Sequence, residues 1–206
     1  MSDQPRETVC LYLFPADRTP SEVWMRKAAR HYGSARGQHW TEDDLQIQRT
    51  PRGKPYFANI PQLHMSLTHS GSYCVVGLAP CAVGVDLQTH DRFHNESAQD
   101  AQTRYLRLAK RFFHPEEYAF VAADPVDRFF ALWCAKESYV KYTGTGLDDS
   151  LWTYSLLPEG SAEPSNWVAQ NAHFRSLALF EGYSFCLCSQ RKLDVQIYSF
   201  LAEATA

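Results

Sequence analysis

A carboxylate and an ammonium four residues apart, Glu137 and Lys141, lie in an apolar run, Phe129-Phe130-Ala131-Leu132-Trp133-Cys134-Ala135-Lys136-Glu137-Ser138-Tyr139-Val140-Lys141, that leaves through Gly144-Thr145-Gly146. Helical spacing predicts that both charges share a stripe with Trp133, the side that a large aromatic ordinarily turns toward protein. Glu ahead of Lys at this spacing is also the favourable order for an exposed helix pair worth about 0.2–0.5 kcal/mol. Spacing alone leaves both readings open.

A second acid sits in an equally unusual place. In Ala82-Val83-Gly84-Val85-Asp86-Leu87-Gln88 the period-two pattern puts Val83, Val85 and Leu87 on one face of a strand and Gly84, Asp86 and Gln88 on the other. Aspartate is unfavourable inside an apolar strand, and Gly84 leaves room for something to approach the backbone closely. The alternative is a strand that ends in a turn at Thr89-His90-Asp91, with Asp86 solvated at its rim. A strand-borne Asp86 and a helix-borne Glu137 suit a hard divalent cation, since Mg2+ commonly takes one or two carboxylates and completes its shell with water and phosphate oxygens.

Basic groups come from two loops displayed at strand ends. Arg49-Thr50-Pro51-Arg52-Gly53-Lys54-Pro55 concentrates three cations in a Pro/Gly-punctuated turn, and Leu67-Thr68-His69-Ser70-Gly71-Ser72 precedes the apolar strand Tyr73 to Ala79. Lys54, between Gly53 and Pro55, could offer a point charge to a phosphate or be a solvated turn lysine. His69 could bind an anion or cap a hairpin.

Taken in order, Gly53-Lys54-Pro55, Thr68-His69-Ser70, Gly84-Val85-Asp86-Leu87 and Trp133-x-x-Lys136-Glu137-x-x-x-Lys141 with Gly144-x-Gly146 resemble the signature series of the 4'-phosphopantetheinyl transferases. The resemblance is closest to the larger, monomeric branch typified by the surfactin-synthetase-activating enzyme, and it spans Arg49 to Leu147. It implies attack by a serine hydroxyl of an apo acyl, peptidyl or aryl carrier protein on the β-phosphorus of coenzyme A, releasing adenosine 3',5'-bisphosphate. It also implies roles. Asp86 and Glu137 would hold Mg2+ against the pyrophosphate; Glu137, directly or through a metal-bound water, would take the serine proton; Lys141 would contact the phosphates and stabilise charge on the leaving side. Gly53, Lys54, Pro55, Thr68 and His69 would line the coenzyme A site, with Lys54 and His69 on its phosphates.

Two departures stand out. Gln88 occupies the place where many members carry a second acid, so it would be a weaker ligand or give way to water. The family's Asn-x-Ser-His-Ser reads Ser66-Leu67-Thr68-His69-Ser70 here, which keeps the histidine and a hydroxyl. The first basic cluster of longer members, expected near the coenzyme A 3'-phosphate, has no single counterpart; Arg26, Lys27, Arg30, Arg36 and Arg49 are its candidates.

Composition fits a compact cytoplasmic enzyme. The chain has 206 residues, 45% of them hydrophobic, and a net charge of -3 gives no general attraction to nucleic acid. The six cysteines include no CxxC pair and read as small packing residues in a reducing compartment. The polar opening Met1 to Glu7 leads us to expect no signal peptide, and no apolar stretch is long enough to span a bilayer. We expect a monomer that partners neither membrane nor nucleic acid.

The expected fold is α+β: a pseudo-twofold pair of similar halves, 1–90 and 91–206, each an antiparallel sheet packed on a long helix, with the active site at their interface. In the first half, Thr8 to Phe14 reads as a strand, and Thr19-Pro20-Ser21-Glu22 as a capping box with Pro20 at the first helical position and Gly33 as the stop. Strands at 45–49, 64–68, 73–79 and 82–87 complete it. The second half has helices from Glu96 to Phe112, from Pro115, and from Pro125 to Thr143 capped by Asp124. Strands at 152–156, 174–180, 183–189 and 195–200 close it, with an exposed loop from Pro158 to Asn166.

Tyr105, Leu106, Leu108, Phe112 and Phe113 beside Lys110 and Arg111 form either a docking patch for an acidic carrier or an amphipathic core helix with a basic edge. Two rivals come from other classes. A serine hydrolase built on His69 and Ser70 lacks a G-x-S-x-G elbow, and adjacent strand residues do not face each other. A non-catalytic coenzyme A- or carrier-binding protein of the same fold would follow from loss of a metal ligand at Gln88.

Overall fold

A computed structural model describes residues 7–90, 97–146, 150–158 and 165–201. The chain is mixed α+β, with two four-stranded sheets, a two-stranded ribbon and four α-helices among the described residues. No helix there is long and apolar enough to cross a membrane.

The first strand explains the layering. β1 (Thr8–Pro15) is buried along nearly its whole length, because both of its faces are covered. Cys10, Tyr12 and Phe14 pack against Met25, Ala28, Ala29 and Tyr32 of α1 (Ser21–Ser34). Val9, Leu11 and Leu13 face the other way, onto Val83, Val85 and Leu87 of β6 (Val83–Thr89) and onto Phe185 and Leu187 of β9 (Tyr183–Ser189). The second sheet in turn carries α4 (Asp127–Thr143), whose Cys134 and Ala135 pack on Phe174, Cys186 and Cys188. All six cysteines are free and buried, as packing residues should be. Burial pushes the Cys74 and Cys186 thiols up to about 12.

The remaining strands are β2 (Ile47–Arg49), β3 (Pro55–Phe57), β4 (His64–Ser70), β5 (Tyr73–Ala79), β7 (Asn166–Ala169), β8 (Ala172–Ser176) and β10 (Asp194–Ser199). The sheet orders are β10-β1-β5-β4 and β6-β9-β8-β7. Two strands therefore sit where the chain order did not put them. β6, expected in the first half, pairs antiparallel with β9 of the second sheet. β10, expected to close the second half, pairs parallel with β1 instead.

Several expected boundaries also change. Pro20 is the residue before α1, no side chain caps the helix, and Thr19 bonds back to Asp17. The helix runs through Gly33, whose missing side chain admits the Trp40 ring. α4 begins at Asp127; Asp124 contributes its carbonyl, accepting from Arg128 N at 3.2 Å, rather than a side-chain cap. The expected strand at 152–156 is a 3-10 turn, Leu151–Thr153. Of the expected strand at 174–180 only 174–176 is strand, the end of β8, which forms a hairpin with β7 turned by Gln170 and Asn171 at φ 49° and 58°. The start of α2 (Ala98–Phe112) was expected at Glu96, which lies outside the described residues, as do Asp91, Leu147 and most of the 158–166 loop.

The aromatic patch resolves toward core. Tyr105 and Phe113 are buried with Phe129, Phe130 and, in part, Trp133, between α2, α3 (Pro115–Ala123) and the first turns of α4. Lys110 and Arg111 alone of that patch are exposed.

Candidate active site

Asp86 is brought to a helix by the glycine two residues before it. A Cβ on Gly84 would overlap the Ser138 carbonyl oxygen and the Tyr142 amide nitrogen, so α4 lies directly on β6 there. Alternation then turns Asp86 toward the same helix while Val85 and Leu87 enter the core between the sheets.

β6 is an edge strand of its sheet, yet its outward amides are satisfied. Val85 N donates to Ser66 Oγ at 3.0 Å, Leu87 N to Thr68 Oγ1 at 3.1 Å and Thr89 N to Ser70 Oγ at 2.9 Å. Three alternate hydroxyls of β4 thus stitch one sheet to the other. Thr68 also donates to Asp86 Oδ1 at 3.0 Å, and Gln88 Nε2 donates to Asp86 Oδ2 at 2.8 Å. Lys141 Nζ reaches Asp86 Oδ1 at 2.6 Å, and the carboxylate is only 2% exposed. These partners supply the hydrogen bonds and counter-charge that a carboxylate so enclosed cannot take from water.

Glu137 is half-buried one turn before Lys141 on α4. It belongs to the stripe that the sequence predicted, beside the residue that touches Asp86. The helix ends at Gly144, left-handed at φ 72°, and Gly146 is also left-handed, at φ 74°. The β2–β3 hairpin packs beside these glycines, which the positive φ calls for and a shortage of space does not. Lys54 Cδ would lie 3.6 Å from a Cβ on Gly144, and Arg52 Cδ 3.7 Å from one on Gly146.

Between hairpin and helix lies a cavity of about 250 Å³ lined by Arg49, Arg52, Lys54 and Lys141, with Gly53, Pro55, Ser66 and Gly144. Four cations around so small a space suit an anion. Lys54 is partly committed: its ammonium donates to Val83 O at 3.2 Å and Tyr142 O at 3.1 Å, tying hairpin, β6 and α4 together. Burial lowers it to about 8.

The structure thus brings together Asp86, Gln88, Thr68 and Lys141, places Glu137 on the adjoining turn, and gathers Gly53, Lys54 and Pro55 around the cavity. His69 stands apart, exposed on the face of β4 opposite Thr68. Of the 3'-phosphate candidates, Arg49 lines the cavity; Arg26, Lys27, Arg30 and Arg36 do not. Arg52 was read only as one of three loop cations, and its packing on Gly146 singles it out.

Sequence reasoning missed the pair beneath the site. Lys136 Nζ meets Glu117 Oε2 at 2.8 Å with side-chain exposures of 1% and 0%, and it also donates to Leu151 O and Tyr154 O at 2.5 and 2.9 Å. Glu117 accepts from His114 N and Leu156 N at 2.9 and 2.8 Å, completing a capping box on α3. Burial pushes the Glu117 carboxyl up and the Lys136 ammonium down, and their mutual contact opposes both shifts. The signal was His114-Pro115-x-Glu117, a capping-box spacing with His in the capping position.

A second cavity, of about 470 Å³, opens on the side of α4 turned away from Glu137, between Arg128, Ala131, Ala135 and the strand residues Ser176 and Ser184. His90 closes its end, stacked on Phe130 at 4.8 Å and 2.8 Å from Ser184 Oγ.

Comparison with known proteins defines the class. A sequence model of the 4'-phosphopantetheinyl transferase superfamily matches residues 82–195, more than half of the chain, and the chain belongs to that superfamily. It is similar to 4'-phosphopantetheinyl transferase psf-1 of Bacillus pumilus, 33% identical over 116 residues that cover 53% of this chain and 45% of the relative. It is similar also to 4'-phosphopantetheinyl transferase Sfp of Bacillus subtilis strain 168, 24% identical over 155 residues covering 72% and 64%. A putative 4'-phosphopantetheinyl transferase of Synechocystis is 32% identical over 139 residues covering 60% and 52%. The chain spans about half the length of the curated relatives it matches.

Proposed function

We propose that the protein transfers the 4'-phosphopantetheine arm of coenzyme A to a serine hydroxyl of an apo carrier protein, releasing adenosine 3',5'-bisphosphate. The observation that carries this reading is the contact of Lys141 with Asp86 at the wall of a cavity bearing three further cations. Superfamily membership and the names of the relatives support it.

In this reading Arg49, Arg52 and Lys54 neutralise the phosphates of coenzyme A, and Lys141 leaves Asp86 to follow the charge that grows on the departing phosphate. The serine oxygen forms a bond to the β-phosphorus as the bond from that phosphorus to the bridging oxygen breaks, and Glu137 receives the serine proton. A resident Mg2+ fits the donors available. Asp86 already holds a cation on Oδ1, and Asp86 and Glu137 are hard oxygen ligands. Among the described residues no group of three or more His, Cys, Asp or Glu could hold a metal, and two carboxylates are what Mg2+ takes when water and phosphate complete its shell. Bound there, it would neutralise and orient the pyrophosphate.

The pairing of α1 with the first sheet and α4 with the second supports a pseudo-twofold arrangement, with the site where β4 and β6 meet. Intact-mass measurement of apo acyl and apo peptidyl carriers, incubated with the protein, coenzyme A and Mg2+, tests the transfer. A gain of one phosphopantetheine arm that disappears with Glu137→Ala is the expected result. One observation favours a non-catalytic coenzyme A- or carrier-binding protein of this fold: the Gln88 amide on Asp86, where a further carboxylate would add metal-binding charge. Coenzyme A binding with no mass gain would select that reading.

With Tyr105 and Phe113 in the core, exposed Lys110 and Arg111 carry the expected docking patch. Lys110→Glu should raise the carrier Michaelis constant about fivefold or more, by slowing encounter with an acidic partner, and leave coenzyme A affinity unchanged. Equal Michaelis constants for variant and wild type would move the docking surface elsewhere.

A further inference from the structure

We propose that Thr68 and Gln88 are positioning residues for Asp86: each grips one carboxylate oxygen, and together they set the direction in which the carboxylate meets a cation. The inference rests on the reading of Asp86 as a cation ligand given above.

Of the three stitching hydroxyls of β4, Thr68 has a second task. A hydroxyl that accepts an amide N–H still has its own proton to give. Thr68 gives that proton to Asp86 Oδ1 while accepting from Leu87 N, so the side chain of Asp86 and the backbone next to it hang from one oxygen atom. Ser66 and Ser70 make the amide contacts of the neighbouring rungs. The other oxygen, Oδ2, is held by Gln88. A carboxylate can only accept, so the nitrogen of the Gln88 amide faces Asp86 and its oxygen faces away. Gln88 therefore serves as an orienting donor where an acid would have repelled Asp86.

All of this happens out of water. Thr68, Asp86 and Gln88 are 4%, 2% and 9% exposed, so solvent does not readily replace a lost donor. Lys141 is the third contact and arrives from α4, whereas Thr68 and Gln88 belong to the strands. When Lys141 leaves Asp86, these two remain to hold it. Outer partners of this kind orient a metal-binding carboxylate without touching the metal.

The test uses Mn2+ alone as probe, with binding followed by electron paramagnetic resonance on the full chain. Thr68→Val keeps the shape and removes the hydroxyl; it is expected to weaken Mn2+ binding about 10–100-fold, with Thr68→Ser restoring it to within about threefold. Gln88→Leu should move affinity in the same direction as Thr68→Val. Thr68, expected from the resemblance to line the coenzyme A site, is not among the residues lining the cavity, so coenzyme A binding measured without metal should be the same for wild type and Thr68→Val. If Thr68→Val instead loses metal-free coenzyme A affinity and binds Mn2+ as wild type does, Thr68 is a phosphate contact and the proposal is overturned. If wild type itself binds no Mn2+, the cation reading of Asp86 fails, and crystals of Thr68→Val decide the orientation claim separately. A carboxylate turned away from Lys141 upholds it; an unmoved one removes it.

Discussion

Glu117→Ala is expected to cost the fold about 3–5 kcal/mol, because it leaves the Lys136 ammonium buried without its counter-charge. Of the two side chains, 1% and 0% are exposed, so water does not reach them. The loss spreads further than one ion pair. Glu117 also receives the amides of His114 and Leu156, which would be orphaned at the start of α3 and in the segment after the 3-10 turn. Lys136 would keep the carbonyls of Leu151 and Tyr154 and its place over the Tyr154 ring, none of which carries a counter-charge. Against a typical total stability of about 5–15 kcal/mol, this is a large share. Urea unfolding followed by circular dichroism measures it. The double replacement Glu117→Leu with Lys136→Met should recover much of the loss, since an apolar pair needs no counter-charge. A single-variant cost below about 1 kcal/mol would mean that water enters the pair.

Gly84→Ala should also be damaging, by steric means. The added methyl would overlap the backbone of α4 at Ser138 and Tyr142, and backbone, unlike a side-chain end, has no other rotamer to adopt. Helix and strand must separate. Overpacking of this kind costs about 1–3 kcal/mol and occasionally more, and the strain falls on the interface that joins Asp86 to Lys141. A displacement of about 1 Å there is enough to lower the rate of a positioned reaction about 100-fold. Carrier-modification kinetics and melting temperature together check this. A folded Gly84→Ala protein with wild-type turnover would show that the close approach of α4 does not set the geometry of the site.

Gly84 was also among the most legible residues. A glycine beside an aspartate in an apolar strand announced close approach from the sequence alone, and the structure identifies the approaching element as α4. The stripe of Glu137 and Lys141 was legible for a similar reason: helical periodicity is local. What failed depended on distant partners. The apolar alternation of residues 195–200 marks a strand and says nothing about which sheet receives it, and β10 crosses to β1. The β7–β8 turn escaped notice because Gln170 and Asn171 take up positive φ without a glycine to signal it. Lys136 was visible in the motif, but the carboxylate that explains it lies on another helix. His69 entered the expected site through the resemblance, and strand alternation places it on the face of β4 opposite Thr68.

The crossing of β10 has a consequence for how the chain comes into being. Its partner β1 begins at Thr8, and the two run side by side from Thr8 opposite Asp194 to Leu13 opposite Ser199. During synthesis β1 can find β5 early, but its other edge stays open until β10 has emerged. Closing so long a loop is slow, and an open edge in the meantime is a template for pairing with another chain. β1 thus waits, half-clasped, on a segment made long after it. The first sheet is therefore completed after the second, whose latest strand, β9, ends at Ser189.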